Sequence, residues 1–337
     1  MTRDVTLIPG DGIGPEITEQ TVRVVEAAGA ALRWDIQQAG MAAFSATGDP
    51  LPEATLESIR RHRLALKGPL TTPVGGGFRS INVELRKTFE LYANLRPAVS
   101  LQPGRYDGLD IVLVRENVEG FYSGAEHFIK VGDDPHAVGV TQGIVTRAGC
   151  ERVLRFAFEY AKRHGRKRVS IVHKANILRM TSGLFLEVGR VIAKEYEGTL
   201  EANEYIVDNC AMQLVLKPEQ FDVIVTTNLF GDILSDEISG LVGGLGVTPG
   251  GNLGEDVAIF EAVHGSAPDL AGKGIANPTA QMLAAGLLLD HLGDAGSARR
   301  VREAISATIR GAGIKTRDLG GTATTREFGD AVVARLA

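Results

Sequence analysis

Cysteine is almost missing from this sequence: Cys150 and Cys210 are the two in 337 residues, with no C-x-x-C spacing. That excludes a disulfide framework and a thiolate zinc site, and it fits a reducing compartment. Aromatic residues are scarce at 6%. No apolar run approaches the ~18 residues that a membrane-spanning helix needs. A basic excess is absent too, since 36 Lys and Arg stand against 41 Asp and Glu for a formal charge of −5. Electrostatic binding to nucleic acid or to an anionic membrane surface needs the opposite sign, so neither partner is expected. The opening MTRDVTLIPGDG contains no apolar h-region, so the expectation is a cytoplasmic protein without a secretory leader.

What is present is the composition of a large buried core, 44% hydrophobic with 23% charged, and 41 glycines that imply many tight loops. The length suggests two domains at roughly 150 residues each. Short β-branched runs at Val5–Ile8, Ile111–Val114, Val169–Val172 and Asp222–Thr226 predict strands. Amphipathic stretches between them predict helices, from Pro15 to Ala28 and from Cys150 to Arg163, the latter closing at Gly165. Ser182 is placed to cap a further helix ending near Gly198. This alternation predicts an α/β protein with a mainly parallel sheet. The glycine-rich stretch Gly243–Gly254 reads as a hinge. The basic cluster Arg163–Arg168 reads as a solvated helix end.

Four segments carry residues suited to chemistry. The turn Gly10-Asp11-Gly12-Ile13-Gly14 lacks the third glycine and the later acidic strand end of a dinucleotide fingerprint. Tight packing accounts for its glycines better. In GGGFRSINVELRKTFELYANLRP (Gly75–Pro97), Ser80, Asn82, Arg86 and Arg96 surround a short helix, and Arg115 ends a strand. Guanidinium groups bind carboxylates bidentately, so converging arginines suit a polyanionic small acid, although each alone also reads as a surface residue. In NLFGDILSD (Asn228–Asp236), Asp232 and Asp236 share a helix face. There they repel by about 0.2–0.5 kcal/mol unless a divalent cation reverses the sign; an exposed acidic first turn is the alternative. The segment EAVHGSAPDLAGKGIANP (Glu261–Pro278) reads as a long structured loop able to wrap a nucleotide, or as a connector to the helix Ala280–Leu292.

The motifs PGDGIGPE, LRKTFELYANLRP, RENVEGFYSG, VHKANI, NLFGDILSD, GGLGVTPGGNLG and EAVHGSAPDLAGKGIANP together resemble the metal-dependent decarboxylating β-hydroxyacid dehydrogenases, the isocitrate/isopropylmalate dehydrogenase family. The likeness runs from Leu7 to at least Leu292. It implies an α/β fold that is not Rossmann: two α/β domains share a continuous sheet around a central cleft. A large cofactor-binding domain of 1–97 with 250–337 is expected, and a small one of 98–249 with the dimer interface and an arm near 125–147.

The resemblance also implies roles. Arg86, Arg96 and Arg115 would bind substrate carboxylates, with Ser80 and Asn82 hydrogen-bonding a third carboxylate. That pair favours isocitrate over homoisocitrate or 3-isopropylmalate, although Ser80 could instead merely cap its helix. Asp232 and Asp236 would hold Mg²⁺ or Mn²⁺ together with Asp208 of a second subunit. Tyr122 and the second subunit's Lys174 would form the acid–base pair. The cofactor would rest on Leu70, Thr71, Thr72, Glu261, His264, Gly265, Ala267, Asp269, Leu270 and Asn277. NADP-using relatives tend to carry Lys-Tyr where this chain has Asp269-Leu270, and an aspartate there repels a 2′-phosphate, so NAD is expected. The implied activity is NAD-linked oxidative decarboxylation of isocitrate by a homodimer with shared sites. A non-catalytic, isocitrate-binding regulatory subunit is the alternative from another class.

Overall fold

The computed structural model describes residues 2–72, 78, 80–102, 104, 106–311 and 313–337. Of the Gly75–Pro97 stretch, Gly75–Gly77 and Arg79 therefore lie outside the described residues. The strands, in chain order, are β1 (Arg3–Ile8), β2 (Leu32–Ile36), β3 (Leu64–Lys67), β4 (Ala93–Val99), β5 (Asp110–Glu116) and β6 (Glu126–Val131). They continue with β7 (Asp134–Thr141), β8 (Arg168–His173), β9 (Glu201–Ile206), β10 (Val223–Thr226), β11 (Pro249–Leu253) and β12 (Ala258–Ala262). The helices begin with α1 (Gly14–Ala27), α2 (Met41–Thr47), α3 (Glu53–His62), α4 (Ile81–Thr88), α5 (Arg147–Arg163) and α6 (Thr181–Glu195). After them come α7 (Val207–Leu216), α8 (Asn228–Val242), α9 (Thr279–His291), α10 (Ala295–Arg310) and α11 (Thr325–Val333). No described helix is long and apolar enough to cross a membrane.

The chain forms two compact units, Met1–Phe89 with Arg96–Leu109 and Ser239–Ala337, and Glu90–Leu95 with Asp110–Ile238. In the first unit the strand order is β2-β1-β3-β12-β11. All these pairings are parallel except β11 with β12. β3, sequence LALK, is buried at every position, as a central parallel strand must be. α9 is apolar on nearly all sides, with Ala280, Met282, Ala284, Ala285, Leu288 and Leu289 all buried, which marks a helix sunk within the unit and not one on its surface. α1 begins with Pro15 in its first turn, where the missing N–H costs nothing, and buries Ile17, Thr21, Val24 and Val25.

In the second unit β5, β10, β8 and β9 lie side by side and all run parallel. α5 lays Val153, Leu154, Ala157, Phe158 and Ala161 against them. Val153, Leu154 and Phe158 each contribute about 1.5–3 kcal/mol by leaving water, and the two alanines less. β6 and β7 form a separate antiparallel ribbon, almost wholly exposed, which occupies the expected arm.

Several expectations change. Residues 98–109 group with the first unit because Arg310 of α10 holds the carbonyls of Ser100 and Leu101, at 2.6 and 2.9 Å. Residues 239–249 do so because the chain leads directly into β11, and Val263 N–H bonds the Thr248 carbonyl. Residues 90–95 group with the second unit, where Asn117 bonds the carbonyls of Leu91 and Tyr92. Gly243–Gly254 is no hinge, since its second half is the buried strand β11. Ser182 caps nothing: it is the second residue of α6, and its Oγ accepts from the Lys174 backbone N–H at 2.7 Å. The basic cluster is not simply solvated, for Arg166 pairs with Asp110 and Asp222, and Arg168 with Glu201.

Candidate functional site

In the second unit, Arg115 is the penultimate residue of β5, and the chain re-enters a helix at Asn228, with one residue between it and β10. Parallel strand ends of this kind are where α/β proteins gather ligands. Arg115 is 1% exposed and forms an ion pair through Nη1 with Asp232. Tyr122 donates its hydroxyl to the other oxygen of the same carboxylate at 2.6 Å. The Arg115 Cζ lies 5.1 Å from the centre of the Tyr122 ring. Three residues named from sequence thus share one cluster. Burial, then the hydrogen bond and charge of Asp232, push the Tyr122 phenol above its ordinary value, so it remains a proton donor at neutral pH.

Asp232 is the fifth residue of α8, beyond the first turn, so the helix dipole does not explain it. Asp236 lies one turn further on and is exposed. Asp208, in the first turn of α7, is exposed and pairs with Lys174 of its own chain at 2.5 Å. The hydrogen bond from Lys174 holds its carboxyl below the usual range. Among the described residues, no three His, Cys, Asp or Glu side chains of one chain gather as a metal cluster.

The first unit carries the other predicted substrate residues. Asn82 and Arg86 lie four apart on α4 and so share a face. Asn82 Oδ1 and Arg86 Nε are buried without a hydrogen-bond partner among the described residues. Such groups cost about 1–3 kcal/mol each, which is what a site awaiting a polar ligand looks like. Ser80 precedes α4, yet its side chain makes no capping bond, so capping does not explain it. Arg96, in β4, is buried.

The loop after β12 lines a cavity of about 380 Å³ together with Ile13, Gly246, Ile275 and Asp318. His264, Gly265, Ala267 and Asn277 are the expected residues on its wall. The volume is in the range of small-molecule sites. Burial lowers the His264 pKa, keeping the ring neutral. Its Nδ1 bonds the Gly265 carbonyl at 3.0 Å, which leaves the buried, unpartnered Nε2 as an acceptor. Asn277 Nδ2 donates to Asp318 at 2.8 Å. Leu70 is buried and Thr72 exposed; Asp269 and Leu270 are exposed in a single 3-10 turn. None of these four lines the cavity.

The glycine turn after β1 does serve close packing. Gly10 and Gly12 have positive φ, and a Cβ on Gly12 would overlap the Ser266 carbonyl, which instead accepts from Ile13 N–H at 2.9 Å. Sequence reasoning missed Ile13, Gly246, Ile275 and Asp318. Ile13 had a signal, being the one large apolar residue in that turn. It also missed Lys67, which is 1% exposed and pairs with Glu261 at 2.5 Å across the parallel register of β3 and β12. Burial pushes the Glu261 carboxyl up, but the charges of Lys67 and Arg86, with hydrogen bonds from Lys67 and Asn252, bring it down to about 2.

Two α/β units, one of them with a buried arginine, a carboxylate and a tyrosine clustered at its strand ends, suit an enzyme that acts on a small acid. Residues 4–332 match the isocitrate/isopropylmalate dehydrogenase family, and the chain belongs to it. Catalytic subunit 5 of the mitochondrial NAD isocitrate dehydrogenase of Arabidopsis thaliana is 50% identical over 336 residues, 98% of this chain and 88% of the relative. The human mitochondrial subunit alpha is 46% identical over 339 residues, 98% of this chain and 90% of the relative. The crystal structure of isocitrate dehydrogenase from Methylococcus capsulatus superposes with a TM-score of 0.96 at 54% identity, covering 99% of both chains. The cytoplasmic expectation is overturned: these curated relatives are mitochondrial isocitrate dehydrogenases.

Proposed function

We propose that this chain oxidises isocitrate with NAD and releases CO₂ to give 2-oxoglutarate. The observation that carries the reading is the Arg115–Asp232–Tyr122 cluster, in a chain similar over its length to NAD isocitrate dehydrogenases. Arg86, Arg96 and Arg115 are assigned to the substrate carboxylates. Ser80 and Asn82 are assigned to the third of these, where a hydroxyl and an amide Nδ2 are donors that suit a carboxylate and not an alkyl tail. Asp232 and Asp236, with Asp208 from a second subunit, would supply the hard oxygen donors that Mg²⁺ or Mn²⁺ prefers. When bound, the cation would polarise the substrate hydroxyl and its neighbouring carboxylate and stabilise the charge left by departing CO₂. Lys174 of the second subunit accepts the alcohol proton, and Tyr122, kept protonated by burial, returns a proton to the product carbon.

The cofactor is assigned to Leu70, Thr72, Glu261, His264, Gly265, Ala267, Asp269, Leu270 and Asn277. The neutral His264 Nε2 is an acceptor suited to an amino group of a base, and Asp269 disfavours a 2′-phosphate. A homodimer is the proposed assembly. Met212 and Leu216 on α7 and Ile233 on α8 are exposed apolar residues, as are Phe128, Ile129, Val131 and Val138 on the ribbon. Exposed apolar residues of this kind are what a second copy would cover. A steady-state panel of isocitrate, homoisocitrate, 3-isopropylmalate and tartrate against NAD and NADP, with Mn²⁺, tests the reading. Isocitrate with NAD is expected to give the highest kcat/KM. A preference for another acid, or isocitrate binding without turnover, would overturn it.

A further inference from the structure

A buried arginine can serve an anionic substrate only if something fixes which way its five N–H donors point. Asn228, fully buried at the start of α8, does this for Arg115. Its Oδ1 accepts from Arg115 Nε at 3.2 Å and from Nη2 at 2.6 Å. Its Nδ2 donates to Glu116 Oε2 at 3.4 Å. Glu116 is itself pinned, accepting from the backbone N–H groups of Val118 at 2.8 Å and Glu119 at 3.0 and 3.1 Å. Opposite partners settle which end of the amide faces which group. Gly231 completes the seat, since a Cβ there would come within 2.5 Å of Arg115 Cγ.

We propose that Asn228 is a positioning residue that orients Arg115 without adding a second negative charge to that of Asp232, and so sets the affinity for the tricarboxylate. An amide accepts two hydrogen bonds from the guanidinium and remains neutral. A carboxylate in its place would take the same bonds but set a second negative charge, besides that of Asp232, against the one guanidinium. The amide also holds the carboxylate of Glu116, buried beside the same strand end, one side chain away from Arg115. The inference rests on reading Arg115 as a carboxylate-binding residue.

The test compares the full-length wild type with Asn228→Asp, Asn228→Ser and the double variant Asn228→Asp/Glu116→Gln. Each is assayed for isocitrate turnover with NAD and Mn²⁺, and for isocitrate binding by calorimetry. Asn228→Asp is expected to raise KM and Kd for isocitrate by ~10-fold or more, with kcat within ~3-fold, because uniform ground-state binding is what weakens. The double variant restores the cluster's charge count but leaves the negative group against Arg115, so KM is expected to stay raised. A return of KM to the wild-type value in the double variant would show that charge balance alone mattered, and would overturn the proposal. Asn228→Ser is neutral and small and decides the matter where the Asp variants do not fold. A raised isocitrate KM at near wild-type kcat supports the proposal, and an unchanged KM overturns it. If the wild type turns over a different acid of the panel, the functional reading fails by itself. Asn228 is then judged on the KM for that acid.

Discussion

At pH 7 Glu261 is ionised although almost no water reaches it. The ammonium group of Lys67 at 2.5 Å and the amide of Asn252 at 2.7 Å replace its hydration. Losing one member of such a pair strands the other, so Lys67→Met is expected to cost about 3–5 kcal/mol in urea unfolding. Lys67→Met with Glu261→Leu should be much closer to wild type. The pair also predicts a pH dependence. Its carboxyl is lowered from 4.5 to about 2, so its stabilisation is fully present above about pH 4.5 and disappears as the pH falls toward 2. Unfolding midpoints at pH 5 and pH 3 should fall further in the wild type than in the double variant. The pairing was not legible in the sequence, because Lys67 and Glu261 meet only through the register of two strands far apart in the chain. Asp232 and Asp236 were legible as a pair because helical spacing fixes their common face. The Arg115 and Tyr122 contacts of Asp232 were not, since nothing local encodes them.

Among the elements, strands with β-branched runs could be read directly. Val5–Ile8, Ile111–Val114 and Val169–Val172 all lie within observed strands that are two or three residues longer. β11 was hidden, because Pro-Gly-Gly-Asn-Leu has turn composition. Gly251 is needed there, as a Cβ would come within 2.9 Å of the Phe260 ring on the neighbouring strand. Caps were legible only in part. The expected cap at Ser182 fails, while Thr146 does cap α5, accepting from Gly149 N–H at 3.0 Å and donating to Glu119 at 2.5 Å. Thr146→Ala is therefore expected to lower stability by about 1 kcal/mol. Chemical denaturation reads that loss, and a neutral result would mean that Glu119 alone secures the start of the helix.

For the molecule as a whole, the long motifs carried the family and the α/β class. Assembly and compartment could not be read from composition. The relatives overturn the cytoplasmic expectation, and the exposed apolar residues of α7, α8 and the ribbon carry the case for a second subunit. α8 sets Ile233, 59% exposed on the proposed subunit face, beside Asp232 of the proposed cation site. If both assignments hold, removing the cation with EDTA should lower the protein concentration tolerance of the dimer in sedimentation experiments. Met212→Asp should weaken Mn²⁺ binding without touching a ligand. A dimer constant indifferent to EDTA would separate the two.

On those two assignments, ion affinity and self-association would be linked, one coupling free energy seen from two ends. Whatever factor the ion adds to the grip between protomers, the protomers must add to the grip on the ion. A dilute, ion-poor solution would then switch the catalyst off by mass action alone, with no effector and no change in the fold of either chain.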